Sequence, residues 1–174
     1  MSLTVEIPRS LLEALRKRGF DPSSIVVDAL FKMLNLDPAE EVEAHVELAE
    51  KFLEEGRRLI DEDPIQASEK LYKAAEEAVK TVAIMLNFHT ILERVKARDR
   101  WTLSDLDEAA KQASKSIGKE FYVGWDRAYY LHVAGFHEAK LSSEAVKERL
   151  LDIDNMVRVL EKLLKKFRQS GESL

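Results

Sequence analysis

Residues 64–86 read Pro-Ile-Gln-Ala-Ser-Glu-Lys-Leu-Tyr-Lys-Ala-Ala-Glu-Glu-Ala-Val-Lys-Thr-Val-Ala-Ile-Met-Leu. Asp63 ahead of Pro64 supplies an N-cap followed by a proline at the first helical position, where its missing N–H costs nothing. Ala67, Leu71, Ala74, Ala75, Ala78, Val82 and Leu86 then recur at three- and four-residue spacing and form one apolar stripe. Ala67, Ala74, Ala75, Ala78 and Ala83 are small enough for a neighbouring backbone to come close, which predicts a central helix of a bundle. Glu69/Lys73 and Glu76/Lys80 stand four apart in the favourable order and are expected to lace its exposed face.

The same restart signal recurs on the N-terminal side at Asp37-Pro38 and Asp21-Pro22. The first opens a long helix to about Asp61 carrying Val42, Val46, Ala49, Phe52, Leu53 and Ile60; the second opens a shorter one to about Leu36. Before these, Leu3–Ile7 alternates apolar and polar and is expected to be a short strand ended by Pro8. Ser10–Arg18 follows as a short helix with Gly19 as its C-terminal stop. On the other side of the central helix, Asn87–Trp101 is basic and aperiodic, with Arg94, Lys96, Arg98 and Arg100 close together, and is expected to be a loop with about one helical turn. Thr102 caps a helix through Ile117 that Gly118 ends; Phe121 to about Phe136 is aromatic-rich and helical; Ser143 caps a last long helix through Phe167. Short joints between long helices predict an all-α, up-and-down antiparallel bundle over 37–174, with 1–36 as a strand-helix-helix segment.

The composition fits this outline. Hydrophobic residues make up 45% of 174, enough for a core, and the 27 basic against 32 acidic residues give a net charge of −5. Any nucleic-acid contact must therefore come from a local patch. With no cysteine, disulfides, thiolate catalysis and Cys-ligated zinc are excluded. The start, Met-Ser-Leu-Thr-Val-Glu-Ile-Pro, lacks the pattern of a signal peptide, and no apolar run reaches a membrane span, so a cytoplasmic protein without membrane contact is expected.

Chemistry gathers in one place, Gly124-Trp-Asp-Arg-Ala-Tyr-Tyr-Leu-His-Val-Ala-Gly-Phe-His-Glu138. On an α-helix, Asp126, Tyr130, Val133 and His137 fall near one face, whereas Arg127 and His132 are roughly 140° apart. Those two meet only if two copies of the helix cross at a dimer axis. A histidine to move protons and an arginine to hold a phosphodiester make a minimal kit for metal-independent RNA cleavage, so Arg127 and His132 are the candidate catalytic pair. Asp126, Tyr130, His137 and Glu138 are candidate binding residues. A plain structural reading fits the same residues: a histidine bonded inside the fold and an arginine in a surface ion pair. His132, His137 and Glu138 lack the four-residue histidine spacing of a helical zinc site, and neither a metal nor a cofactor is expected. His45 lies four residues after Glu41, as in a solvated pair, and Tyr129 and Tyr130 suit packing.

The N-terminal segment resembles a ribbon-helix-helix module, whose paired strands would present Thr4 and Glu6. A carboxylate there faces phosphate unfavourably, which favours dimerisation or docking over DNA reading. Across nearly the whole chain, Leu36-Asp37-Pro38, Gln66-Ala-Ser-Glu-Lys-Leu-Tyr72, Trp101-Thr102, Trp125-Asp126 and Leu131-His-Val-Ala-Gly-Phe-His-Glu138 together resemble the archaeal PaREP family of the HEPN superfamily. That resemblance implies a four- to five-helix bundle, a homodimer, and in nuclease branches an Arg and a His separated by four to six residues at the dimer cleft. Arg127 and His132 match that spacing, while Ala128 stands where those nucleases commonly carry a polar residue. The expected ligand is RNA or a nucleotide; the alternative is a non-catalytic scaffold that binds a protein partner, for which the hairpin Val42 to Val82 has a tetratricopeptide-like look.

Overall fold

The computed structural model describes residues 6–18 and 22–169 and divides into two units, 1–37 and 38–174. In the first unit, α1 (Arg9–Lys17) and α2 (Pro22–Leu34) follow the sequence pattern within two residues at each end. The expected strand does not form among the described residues: Glu6, Ile7 and Pro8 carry no regular structure, and Leu3, Thr4 and Val5 lie outside the described set, as do Gly19 and Asp21. Pro8 offers no N–H to a ladder, and a lone strand has no edge to pair with. No residue of α1 is buried, and Leu11, Leu30, Met33 and Leu34 are exposed.

Among the described residues the regular structure of the second unit is all helical: α3 (Pro38–Leu59), α4 (Pro64–Met85), α5 (His89–Arg98), α6 (Leu103–Ile117), α7 (Lys119–Tyr130), a π-helical segment (Leu131–His137) and α8 (Ser143–Gln169). α4 is central, packing against α3 along its length and against α6, α7, α8 and the π-helical segment. Its start follows its cap: the Asp63 carboxylate accepts from the Gln66 N–H at 3.0 Å, with Pro64 next. Ala67, Leu71, Ala74, Ala75, Ala78 and Val82 are fully buried, as the stripe requires.

Two expectations fail here for tertiary reasons. Asn87–Trp101 is not mostly loop but carries the ten-residue α5, in which Ile91 is buried and Leu92 and Val95 pack on the core. Its basic side chains looked unfavourable only in isolation. Arg94 pairs with Glu108 and Arg98 with Asp105, both on α6, and Asp99 closes the helix in a left-handed conformation at φ 55°. The face of α4 read as solvated is largely inside: Lys80 is only 6% exposed, and the side chains of Glu69 and Glu76 are each 14% exposed. Among the described residues, no helix is long and apolar enough to cross a membrane.

Candidate functional site

The polar face of α4 carries two groups of ionisable residues. The inner one crosses to α3: His45 Nδ1 meets Glu77 Oε2 at 2.5 Å, and Lys80 Nζ lies 2.7 Å from Glu77 and 2.8 Å from Glu76. Lys73 adds a 3.1 Å bond to Glu76. The pair Glu41/His45 was expected in solvent, yet His45 is buried because its ring faces α4 and not outward. Burial alone would push the His45 ring down; Glu41 and Glu77 reverse this and hold it raised. Burial would likewise raise the Glu76 carboxyl, but Lys80 and Lys73 outweigh it and hold it at about 2. The Lys80 ammonium is itself pushed up despite burial by Glu76 and Glu77.

The outer group is built by the π-helical segment. Glu138 N–H donates to the Val133 carbonyl at 3.0 Å, a five-residue span that widens the turn. In an α-helix His132 and His137 point about 140° apart; on the wider turn they come together, with Nε2 to Nε2 3.0 Å. The expected grouping of His137 with Asp126, Tyr130 and Val133 is therefore replaced. His132 Nδ1 in turn meets Glu69 Oε2 of α4 at 2.7 Å, across 63 residues of sequence. Glu69 was expected to pair with Lys73, which instead turns to Glu76.

Packing holds this chain of three in place. Gly135 sits so close to Ser68 that a Cβ there would occupy the space of the serine side chain, so glycine lets the segment settle on α4 one residue from Glu69. The Tyr72 ring stacks on His132 with centroids 4.1 Å apart and planes at 23°, and Phe136 lies 6.0 Å away on a near-parallel plane. Burial, then Glu76 and Glu69, push the Tyr72 hydroxyl well above its ordinary value, so it stays neutral. The side chain of His132 is 22% exposed and that of Glu69 14%, while His137 lies at the surface. The chain is thus shielded in its middle and open at one end.

The other candidates are placed separately. Arg127 Nε is 3.2 Å from Asp152 Oδ2 on α8 in an exposed ion pair and makes no contact with His132. Asp126 is exposed, and Glu138 bonds Lys140 at 2.8 Å. Tyr130 is 46% exposed with the Arg149 guanidinium 4.6 Å over its ring, and Tyr129 is 36% exposed, so neither is core packing. Gly124 brings α7 against α8, since a Cβ there would run into Met156 and the Asp152 carbonyl. The sequence reading missed Glu69 and Tyr72, which no local spacing links to His132. Ser68 and Gly135, two small residues flanking the contact, are the one trace of it in the sequence. Among the described residues, no group of three or more His, Asp or Glu is placed to hold a metal ion.

The model of the Archaeal PaREP1/PaREP8 family matches residues 44–157, which contain the inner cluster and all of Glu69, Arg127, His132 and His137. A crystal structure of a Sulfolobus solfataricus protein, a structural-genomics target, is 37% identical with a TM-score of 0.56, covering 71% of this chain and 96% of that one. A solution structure under the same target label, described as an open-reading-frame protein, is 37% identical with a TM-score of 0.55, covering 72% and 92%. No curated protein matches the chain.

Proposed function

We propose that this chain, which belongs to the archaeal PaREP1/PaREP8 family, is a HEPN-like helical bundle that binds RNA or a nucleotide and cleaves the phosphodiester by acid–base chemistry without a metal. The observation that carries the reading is the hydrogen-bonded chain Glu69, His132 and His137, which runs from the central helix to a surface ring. An imidazole oriented by a carboxylate takes a proton from an attacking hydroxyl far better than a freely rotating one, and acid–base help of this kind contributes about 10²–10⁴-fold. Tyr129 is exposed at the end of α7 and offers an aromatic face on which a base can stack.

Arg127 supplies the phosphate-holding charge only if it stands beside His132 of a second copy, because within one chain it bonds Asp152. The reading therefore includes a homodimer. Light scattering at micromolar concentration is expected to report two chains, and a monodisperse monomer overturns that part.

The test of the function is cleavage and binding of single-stranded RNA in the presence of a chelator, by wild type, Arg127→Ala, His132→Ala and the double variant, with helical content checked. Each single substitution is expected to remove most activity and the double to lose little more, as groups acting in one step do. Activity and binding unchanged in His132→Ala overturn the mechanism. The second reading, a non-catalytic scaffold for a protein partner, is favoured by the Arg127/Asp152 bridge, which occupies the arginine within its own chain. RNA neither bound nor cleaved by wild type decides for it.

A further inference from the structure

We infer that Glu69, His132 and His137 form a proton relay whose working end is Nδ1 of His137, with His132 as the inner ring and Glu69 as the positioning residue. The inference rests on the acid–base reading above and identifies the atom that meets the ligand's proton. A carboxylate only accepts, so the 2.7 Å contact with Glu69 puts the hydrogen of neutral His132 on Nδ1. Its Nε2 is then an acceptor. The 3.0 Å contact between the two rings must be donated by Nε2–H of His137, which leaves Nδ1 of that exposed ring with a free lone pair.

The proton path follows from these assignments. A hydroxyl of the ligand gives its proton to Nδ1 of His137, the Nε2 proton of His137 passes to Nε2 of His132, and His132 becomes an imidazolium against the Glu69 carboxylate. One proton enters and one moves on, so His137 ends neutral with its hydrogen on the other nitrogen. The reverse passage returns the proton to a leaving oxygen. Glu69 stabilises the charged inner ring, and the stacked Tyr72 and nearby Phe136 shield that ring to 22% exposure while His137 is exposed, which favours exchange through His137. The direct base of the sequence reading, His132, is thereby one ring behind the surface.

Ring-nitrogen NMR on the full chain at mildly alkaline pH, without RNA, tests the arrangement. His132 is expected to carry its hydrogen on Nδ1 and His137 on Nε2. Glu69→Gln, which keeps an accepting oxygen, should retain that state, and Glu69→Ala should lose it. Wild-type His132 with its hydrogen on Nε2, or a state unchanged in Glu69→Ala, overturns the relay. The outlet is tested by His137→Ala in the chelator assay, where cleavage should fall about 10²-fold and recover on adding free imidazole. An exposed ring with only a packing role is not rescued this way, and wild-type cleavage without rescue in the variant overturns the outlet. If wild type does not cleave RNA, the function proposed above fails while the ring assignments still decide the relay.

Discussion

The two carboxylate–imidazole contacts on α4 use the same chemistry in opposite settings. His45/Glu77 lies between α3 and α4 with Lys80, Glu76 and Lys73 joined to it, so every charge in the group has a partner of opposite sign within 3.1 Å. Among the described residues no lysine or arginine is bonded into Glu69/His132, and its far end is a solvent-facing imidazole. A closed network in which every charge is paired holds helices in register. An open chain ending on a ring is weaker as a brace but can accept and release a proton. The difference teaches that the same contact serves as a brace where burial and pairing are complete, and it is the partly buried, unfinished chain to which the proposed function is assigned.

The comparison breaks most visibly at Lys80. Lys80→Met removes the cation shared by Glu76 and Glu77 and leaves buried carboxylates short of a partner, at a cost of about 3–5 kcal/mol, measured by chemical denaturation. An unchanged midpoint would mean that the inner cluster is not a closed network.

Acid should attack the same cluster next. Glu76 is held at about 2 in the fold against an ordinary 4.5, so its contribution is fully present above 4.5 and is lost as pH falls from there toward 2. His45, held above its ordinary 6.5, works in the opposite sense: its contribution is complete below 6.5 and is lost as pH rises through its folded value. Stability plotted against pH should thus fall on the acid side, and the fall should shrink in Glu76→Gln. A flat acid limb in wild type would contradict the pairing.

A smaller effect is expected at the seat of the outer chain. Gly135→Ala forces the π-helical segment off Ser68, at about 1–3 kcal/mol, and separates His132 from Glu69. The loss of the His132 ring state by NMR should accompany the lower melting temperature, and Ser68→Gly in the same chain should restore the ring state. Smallest of all, His137→Ala should change stability by less than about 0.5 kcal/mol, because the ring is exposed, while removing the proposed function. A destabilisation as large as that of Lys80→Met would make the outer chain a brace like the inner one.

Most of the helical outline was legible in the sequence. Asp63-Pro64, Thr102 and Gly118 each bound a helix by a local rule, and Thr102 goes further, exchanging hydrogen bonds with Asp105 in a capping box. Such signals act over three or four residues and need no distant partner. The stripe from Ala67 to Val82 was equally plain, since its period alone says which face must be buried. The loop expected at Asn87–Trp101 shows where this fails: a basic decapeptide forms a helix because Glu108 and Asp105, on a different helix, neutralise Arg94 and Arg98.

The site was legible only in part. His132 and His137 could be picked out as the histidines in the one titratable, aromatic segment, but an α-helical wheel set them on different faces. Only packing against α4 fixes a five-residue turn, and that turn alone brings the two rings to 3.0 Å. Glu69, 63 residues earlier, joins them through the close approach of Gly135 to Ser68. Sequence by itself determined the helical segments other than α5, where most of them stop and which stripe of α4 is inside, because capping and periodicity are local. The tertiary structure decided which charges on α4 are sealed and which remain open, because that depends on what each side chain meets across the bundle.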